Sequence, residues 1–274
     1  RDRSPSRGLG DVYKRQLQRR LSWNTISTYM RTLQAVYNRL SPPGTPEHNP
    51  RLFDDVYTKV KSQIKRALTE EQMGRLMHAD LDVLSEELQR VQAYFLLMFL
   101  FRGMPFIDLA HLRKRDVKDG KIAYRRHKTG KQITLRIPRE ALPLLKEFKD
   151  KDETSLYLFP ILNVAPEGDD ALYECYQKAL RNFNKMLRVL AKRLLPGIKI
   201  SSYTARHTWA TLAYHIGMPI GIICQALGHS SVRVTETYLK PFENEKVDKA
   251  NRKLISTVKK NEGRSGRCFI YYKT

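Results

Sequence analysis

The sequence contains few cysteines and no long apolar run. Its three cysteines, Cys175, Cys224 and Cys268, are far apart, and no two of them form a Cys-x-x-Cys pair. Such cysteines indicate neither a disulfide framework nor a zinc site and fit a reducing compartment, the cytoplasm. The longest apolar run, from Tyr94 to Phe101, is much shorter than the roughly 20 residues that span a bilayer. We therefore expect no transmembrane helix and no membrane partner.

Acidic residues are also scarce relative to basic ones. The 274 residues include 50 Lys and Arg but only 28 Asp and Glu, which gives a formal net charge of +22. This balance attracts polyanions and makes their binding depend strongly on salt. Nucleic acid is the natural partner, although composition alone leaves open a basic protein with no specific partner. The length and the hydrophobic content of 41% predict a folded protein of two domains.

The residues best suited to chemistry lie near the C-terminus. Tyr238 follows His229 by nine residues, and Arg206 and His207 lie about one helix upstream. A tyrosine hydroxyl can attack a phosphate, but its ordinary pKa near 10 makes it a weak nucleophile at neutral pH. Arginine forks and an imidazole N–H are the groups that stabilise charge on phosphate oxygens in the transition state. Each residue alone is more often structural, but their joint spacing favours phosphodiester chemistry.

These segments resemble the C-terminal active-site boxes of the tyrosine recombinases, the phage integrase family. Members carry His-x-x-Arg-His, then Leu-Gly-His, then a nucleophilic tyrosine nine residues after that histidine. The resemblance implies that Tyr238 is the nucleophile and that Arg206 and His229 stabilise the phosphate. Tyr203 stands where many relatives have histidine, and we expect it only to position phosphate or water, because a phenol is a poor general base at neutral pH. His207 is expected to be a packing residue.

The family's first arginine is missing from its usual place. Members have Gly-x-Arg-x-x-Glu-Leu, and aligning Gly103 and Asp108 with this pattern puts Pro105 where the arginine belongs. Arg102 lies three residues earlier, about one helical turn, and we expect it to reach the same phosphate. The alternatives are that another arginine, such as Arg113, fills the role, or that the site is weakened by the loss of this arginine. Asp108 is expected to organise the local fold.

A β-hairpin is predicted between Lys121 and Ile137. Ile122 to Tyr124 and the alternating Ile133, Leu135 and Ile137 read as strands around a turn at His127 to Lys131. A lysine at a hairpin tip is usually only solvated. The resemblance, however, places Lys128 as the general acid that protonates the leaving 5′-oxygen.

The predicted fold class is mainly α with a small β-hairpin or sheet (α+β), a helical core-binding domain followed by a catalytic domain. Residues 1–16 read as a disordered leader, either a DNA-binding arm or an artefact of sequence assembly. Residues 17–66 are a partial helical domain whose helix from Leu17 to Leu40 carries one apolar stripe. The catalytic domain spans 67–258, and 259–274 form an irregular basic tail. A helix from Glu243 to Leu254 is expected near the end.

The resemblance implies a bacterial, nucleoid-associated integrase of a phage or mobile element. It would cut and rejoin double-stranded DNA through a 3′-phosphotyrosyl link, as a homotetramer on DNA, alone or with accessory DNA-bending proteins. This mechanism needs no cofactor and no metal, since the covalent link retains the bond energy. A DNA-binding remnant that has lost catalysis is the alternative, supported by Pro105 and Tyr203. A type IB topoisomerase is a third reading.

Overall fold

The computed structural model describes residues 21–54, 56, 58, 67–79, 84–162, 168–242 and 244–262. The chain divides into two compact units, Arg1–Ile64 and Lys65–Thr274, so that the division falls beside the predicted boundary at residue 66. The predicted leader and most of residues 55–66, at the end of the predicted helical domain, lie outside the described residues. So does the tail after residue 262.

The elements follow one another as helices with one small sheet. The helices are α1 (Trp23–Leu40), α2 (Glu70–Met77), α3 (Glu86–Leu100), α4 (Phe106–Ala110), α5 (Ala141–Phe148), α6 (Asp169–Leu194), α7 (Ser202–His215), α8 (Ile220–Leu227), α9 (Val232–Glu236) and α10 (Asn244–Glu262). The strands are β1 (Val117–Lys118), β2 (Lys121–Arg125) and β3 (Gln132–Arg136). The predicted fold class is confirmed.

Helix α1 is capped at its start by Ser22. The Ser22 hydroxyl accepts a hydrogen bond from the backbone N–H of Thr25 at 3.2 Å. Ile26 and Met30 are fully buried against Val56. The apolar stripe of α1 is expected to be a core face, but it is only partly buried. Near its end, the half-buried Tyr37 ring lies 5.5 Å from the His48 ring and 5.9 Å from the Phe53 ring. The stripe residues that stay exposed are Tyr29, Leu33, Val36 and Leu40.

The core of the second unit forms around α3. This helix is apolar on nearly all sides, because it packs against α5, α6 and α7 at once. Leu97 and Met98 are fully buried in it. Helix α2 precedes it and begins with a capping box, in which the Thr69 hydroxyl accepts from the Gln72 N–H and the Gln72 side chain accepts from the Thr69 N–H.

The sheet is a three-stranded antiparallel meander in the order β1-β2-β3. The sequence predicts β2 and β3; the two-residue β1 was not foreseen. Along β2 and β3 buried and exposed residues alternate, with Ile122 facing Leu135 on the buried side. The hairpin projects the segment from Arg126 to Lys131 beyond the paired strands.

The last helices carry the boxes of the candidate site. Helix α8 ends at Gly228, whose φ of 67° is left-handed, as the sequence predicts for a glycine C-cap. Helix α10 runs to Glu262, past the predicted end at Leu254. Within the described ranges, no helix is both long enough and apolar enough to cross a membrane.

Candidate active site

Arg206 lies at the centre of the site, near the start of α7. Its side chain is only 2% exposed. Nη1 donates to the Gly103 carbonyl at 2.8 Å, and Nη2 donates to the Leu227 carbonyl at 2.6 Å. Gly103 has a φ of 69°, and a Cβ there would lie 3.0 Å from the Arg206 Cα. Glycine at 103 therefore permits the close approach that seats this arginine.

His229 follows the glycine cap of α8 and reaches the same guanidinium. Its Nε2 lies 2.9 Å from Arg206 Nη2, and its Nδ1 lies 3.0 Å from Thr235 Oγ1. Because a guanidinium can only donate, Nε2 accepts from Arg206, and Nδ1 carries the proton that is donated to Thr235. Burial, followed by the charges of Arg206 and Arg126, lowers the pKa of His229 to about 4. The imidazole is thus neutral and holds Arg206 in place.

The Tyr238 ring packs between the two histidines of the boxes. Ring centroids lie 4.7 Å from His207 and 4.9 Å from His229. The Arg206 guanidinium carbon lies 5.5 Å from the centre of the Tyr238 ring. The Tyr238 carbonyl accepts from Thr211 Oγ1 at 3.3 Å, which ties the segment after α9 to α7. His207, expected to be a packing residue, is therefore also in contact with the candidate nucleophile.

Tyr203 lies on the exposed side of the site. It is 47% exposed, and its ring centroid lies 6.2 Å from that of His207. Partial burial and the neighbouring Tyr238 hydroxyl raise the pKa of Tyr203, while Arg206 opposes this shift. Tyr203 therefore stays protonated at neutral pH and can donate a hydrogen bond to an anion.

Lys128 is at the tip of the hairpin and is exposed to solvent. The turn is closed by the Gly130 N–H, which donates to the Arg126 carbonyl at 2.8 Å. Asp108 holds the turn from below, because its Oδ1 accepts from the His127 N–H at 2.9 Å. The charge of Lys128 is close enough to help lower the pKa of His229, after burial and the two arginines. Lys128 is thus carried by a loop that a hydrogen bond fastens to α4.

The arginines considered for the missing position lie elsewhere. Arg102 has a left-handed φ of 59°, and its side chain lines a groove of about 480 Å³ with Trp209 and Met218. It makes no hydrogen bond or ion pair with another described residue. Arg113 is exposed at the start of the 3₁₀ turn Lys114–Asp116, where its N–H donates to Asp116 Oδ2 at 2.8 Å.

Sequence reasoning missed Arg126. This residue follows β2 and is 5% exposed, with Nη1 donating to the Leu227 carbonyl at 3.0 Å and its Nε 3.5 Å from Asp108 Oδ2. A signal was present, because the period of two along β2 puts position 126 on the buried face with Ile122 and Tyr124.

The site is strongly positive and accessible from the side of Tyr203 and Lys128. Two buried guanidinium groups, those of Arg126 and Arg206, lie beside one buried carboxylate, that of Asp108. Burial is the largest influence on Asp108 and raises its pKa, against the His127 N–H and Arg126. Across the described ranges, no three His, Cys, Asp or Glu side chains cluster as metal ligands would. The arrangement is chemically suited to binding a phosphate beside a tyrosine.

The chain matches a known protein family. The model of the phage integrase family matches residues 66–245, and the chain belongs to that family. A tyrosine recombinase of Thermosipho africanus is 23% identical over 226 residues, which are 82% of this chain and 74% of the relative. Tyrosine recombinase XerA of Pyrococcus furiosus is 28% identical over 204 residues, 70% of this chain and 64% of the relative.

Solved structures share the fold. The XerA recombinase crystal structure has a TM-score of 0.51 at 21% identity and covers 97% of this chain and 85% of its own. The Tn1549 transposon integrase in complex with transposon right end DNA has a TM-score of 0.60 at 17% identity, covering 89% and 84%. Family and fold together support a recombinase enzyme that acts in site-specific recombination.

Proposed function

We propose that the protein is a site-specific DNA recombinase of the integrase type, with Tyr238 as its nucleophile. The observation that carries the proposal is the contact of Tyr238 with Arg206 and His229, from three separate segments of the chain. Those segments are the three boxes whose spacing indicates phosphodiester chemistry. No simpler structural need brings a tyrosine, a neutral histidine and a buried arginine to one point.

The first step is an attack on phosphorus. The Tyr238 oxygen forms a bond to the scissile phosphorus, its proton passes to solvent, and the bond from phosphorus to the 5′-oxygen breaks. Arg206 stabilises the charge on the non-bridging oxygens through hydrogen bonds from its fork. His229 keeps that fork in place, and Tyr203 donates a hydrogen bond to the phosphate or to a water beside it.

The second partner in the step is the leaving 5′-oxygen, which needs a proton. Lys128 supplies it, because the hairpin tip is exposed and adjoins the site, and an ammonium group is a suitable acid for an alkoxide. The product is a 3′-phosphotyrosyl link and a free 5′-hydroxyl. Attack by a 5′-hydroxyl of a second DNA strand reverses the chemistry and returns the proton to Lys128.

Double-stranded DNA is the proposed substrate. A net charge of +22 supports strong attraction to the phosphate backbone, and the structurally similar Tn1549 transposon integrase was solved in complex with transposon right end DNA. A homotetramer on DNA is the proposed assembly, with accessory DNA-bending proteins as further partners. The expected role of Arg102 as a second phosphate-binding arginine also stays a proposal.

The test is formation of a covalent protein–DNA adduct. The junction sequence of the element in host DNA is determined first, and a duplex of that sequence with a nick beside the cleavage position serves as the substrate. The nicked fragment diffuses away and traps the adduct, which denaturing gels detect. The purified protein should form a protease-sensitive adduct that Tyr238→Phe abolishes. Tight binding without an adduct would contradict the proposal and indicate a DNA-binding remnant.

The same substrate separates a recombinase from a topoisomerase. A recombinase should form the adduct on the junction duplex and not on a duplex of equal length and scrambled sequence. Relaxation of arbitrary supercoiled DNA, with adducts on both duplexes, would instead indicate a type IB topoisomerase. The Leu-Gly-His box and the family match support the first outcome.

A further inference from the structure

Two buried arginines meet at one oxygen in this protein. Arg126 Nη1 and Arg206 Nη2 both donate to the Leu227 carbonyl, at 3.0 and 2.6 Å. Their positive charges lie side by side, and the nearness of Arg126 helps to lower the pKa of Arg206, after burial. Like charges held together in the interior are unfavourable unless an anion shares the space.

The carboxylate of Asp108 neutralises only part of this positive charge. It lies 3.5 Å from Arg126 Nε and also accepts from the His127 N–H. One carboxylate cannot neutralise two guanidinium groups. The structure thus holds an excess positive charge at the site, which a phosphate would balance.

Donor groups remain for such an anion. The Nε of Arg206 is buried and has no hydrogen-bond partner. Arg126 donates to described residues through its Nη1, and among those residues Nη2 has no acceptor. Each arginine therefore keeps at least one N–H group for a ligand.

The aliphatic part of Arg126 is fitted to its place as closely as that of Arg206. A Cβ on Gly228 would lie 3.0 Å from the Arg126 Cδ and 2.8 Å from the Ile133 Cδ1. Gly103 bears the same relation to Arg206, with a Cβ 3.0 Å from its Cα. Two glycines with positive φ, Gly103 before α4 and Gly228 after α8, therefore each accommodate one arginine.

We propose that Arg126 is the second catalytic arginine, whose guanidinium binds a non-bridging oxygen of the scissile phosphate beside Arg206. It takes the place that Pro105 leaves empty in the family pattern, and Asp108 positions it. This inference rests on the proposed function. Arg102 competes for the same role, but its side chain lines the groove beside Trp209 and forms no hydrogen bond or ion pair with a described residue.

The experiment measures the rate of adduct formation on the nicked junction duplex. Arg126→Ala should lower the rate by about a hundredfold or more, which is typical of losing one transition-state hydrogen-bond donor. Arg126→Lys should retain more activity, since it keeps the charge without the fork. Arg136→Ala is the matched control, because Arg136 is an exposed arginine of the same sheet at the end away from the hairpin tip, and it should change the rate less than about threefold.

A second substrate distinguishes a charge role from a structural one. In this duplex a neutral methylphosphonate replaces the scissile phosphate, so that one non-bridging oxygen no longer carries charge. On this duplex the rate of adduct formation by Arg126→Ala, divided by that of the wild type, should rise at least about tenfold, because the phosphate charge that Arg126 neutralises is absent. A variant that merely misfolds would gain nothing from it.

The outcomes are distinct. The inference is supported if the wild type forms the adduct, Arg126→Ala forms it slowly, and the methylphosphonate duplex restores the rate of Arg126→Ala. The inference is overturned if Arg126→Ala forms the adduct at a near-normal rate, or forms it slowly with no recovery on the methylphosphonate duplex. If Arg102→Ala instead forms the adduct slowly and recovers on that duplex, while Arg126→Ala is normal, the role belongs to Arg102. Absence of any wild-type adduct would refute the proposed function itself.

Discussion

Arg126 and Arg206 donate to the same backbone oxygen, the carbonyl of Leu227, with Nη1 at 3.0 Å and Nη2 at 2.6 Å. Leu227 is the last residue of α8, where unpaired helix carbonyls carry partial negative charge. The Leu-Gly-His box therefore does more than present His229. Its leucine carbonyl anchors both guanidinium groups, and its glycine leaves room for the stem of one of them.

The Asp108–Arg126 pair should be a main source of local stability. Asp108→Ala removes the ion-pair partner of Arg126 and the acceptor of the His127 N–H, and we expect it to lower the free energy of unfolding by about 3 kcal/mol. Urea denaturation measures this loss. Arg126→Met and the double variant complete a double-mutant cycle, and strict additivity of the two single losses would contradict the pairing.

Gly228→Ala tests the fit of the glycine against Arg126. Alanine is strained at a φ of 67°, and its Cβ would approach the Arg126 Cδ to 3.0 Å. We expect a loss of about 1–3 kcal/mol in thermal or urea unfolding, together with slower adduct formation. Gly217→Ala is the control, because Gly217 has a φ of 89° but no neighbouring atom within 4 Å of the added Cβ. It should lose stability without slowing cleavage.

His229 should make stability depend on pH in one direction. Its pKa is about 4 in the folded protein against an ordinary value of 6.5, so the unfolded chain binds more protons between these values. The stabilising contribution is fully present above pH 6.5 and is lost as the pH falls toward 4. Between pH 7 and pH 4.5, the free energy of unfolding measured with urea should fall more for the wild type than for His229→Gln. Equal falls in both proteins would contradict the neutral assignment.

The boxes near the C-terminus were readable from sequence because their spacing is local. Tyr238 follows His229 by only nine residues, and the short helix α9 lies between them, so the two side chains stay close together. Arg206, His229 and Tyr238 were predicted together, and the structure brings them into contact. Their catalytic roles stay predictions.

Arg126 was harder to find because its environment is tertiary. Its partners, Asp108 on α4 and Leu227 on α8, are 18 residues before it and 101 residues after it in the chain. The strand period put it on the buried face, but burial of an arginine runs against its usual preference for the surface. Arg102 is closer in sequence to the position of the missing arginine. Its backbone is left-handed, and its side chain lines the groove by Trp209.

The most direct test of the account is mass spectrometry of the trapped adduct. After digestion by protease and nuclease, the account predicts one peptide in which Tyr238 carries a nucleotide through its 3′-phosphate. A nucleotide on any other residue, a 5′-phosphate linkage, or an adduct that persists in Tyr238→Phe would contradict it.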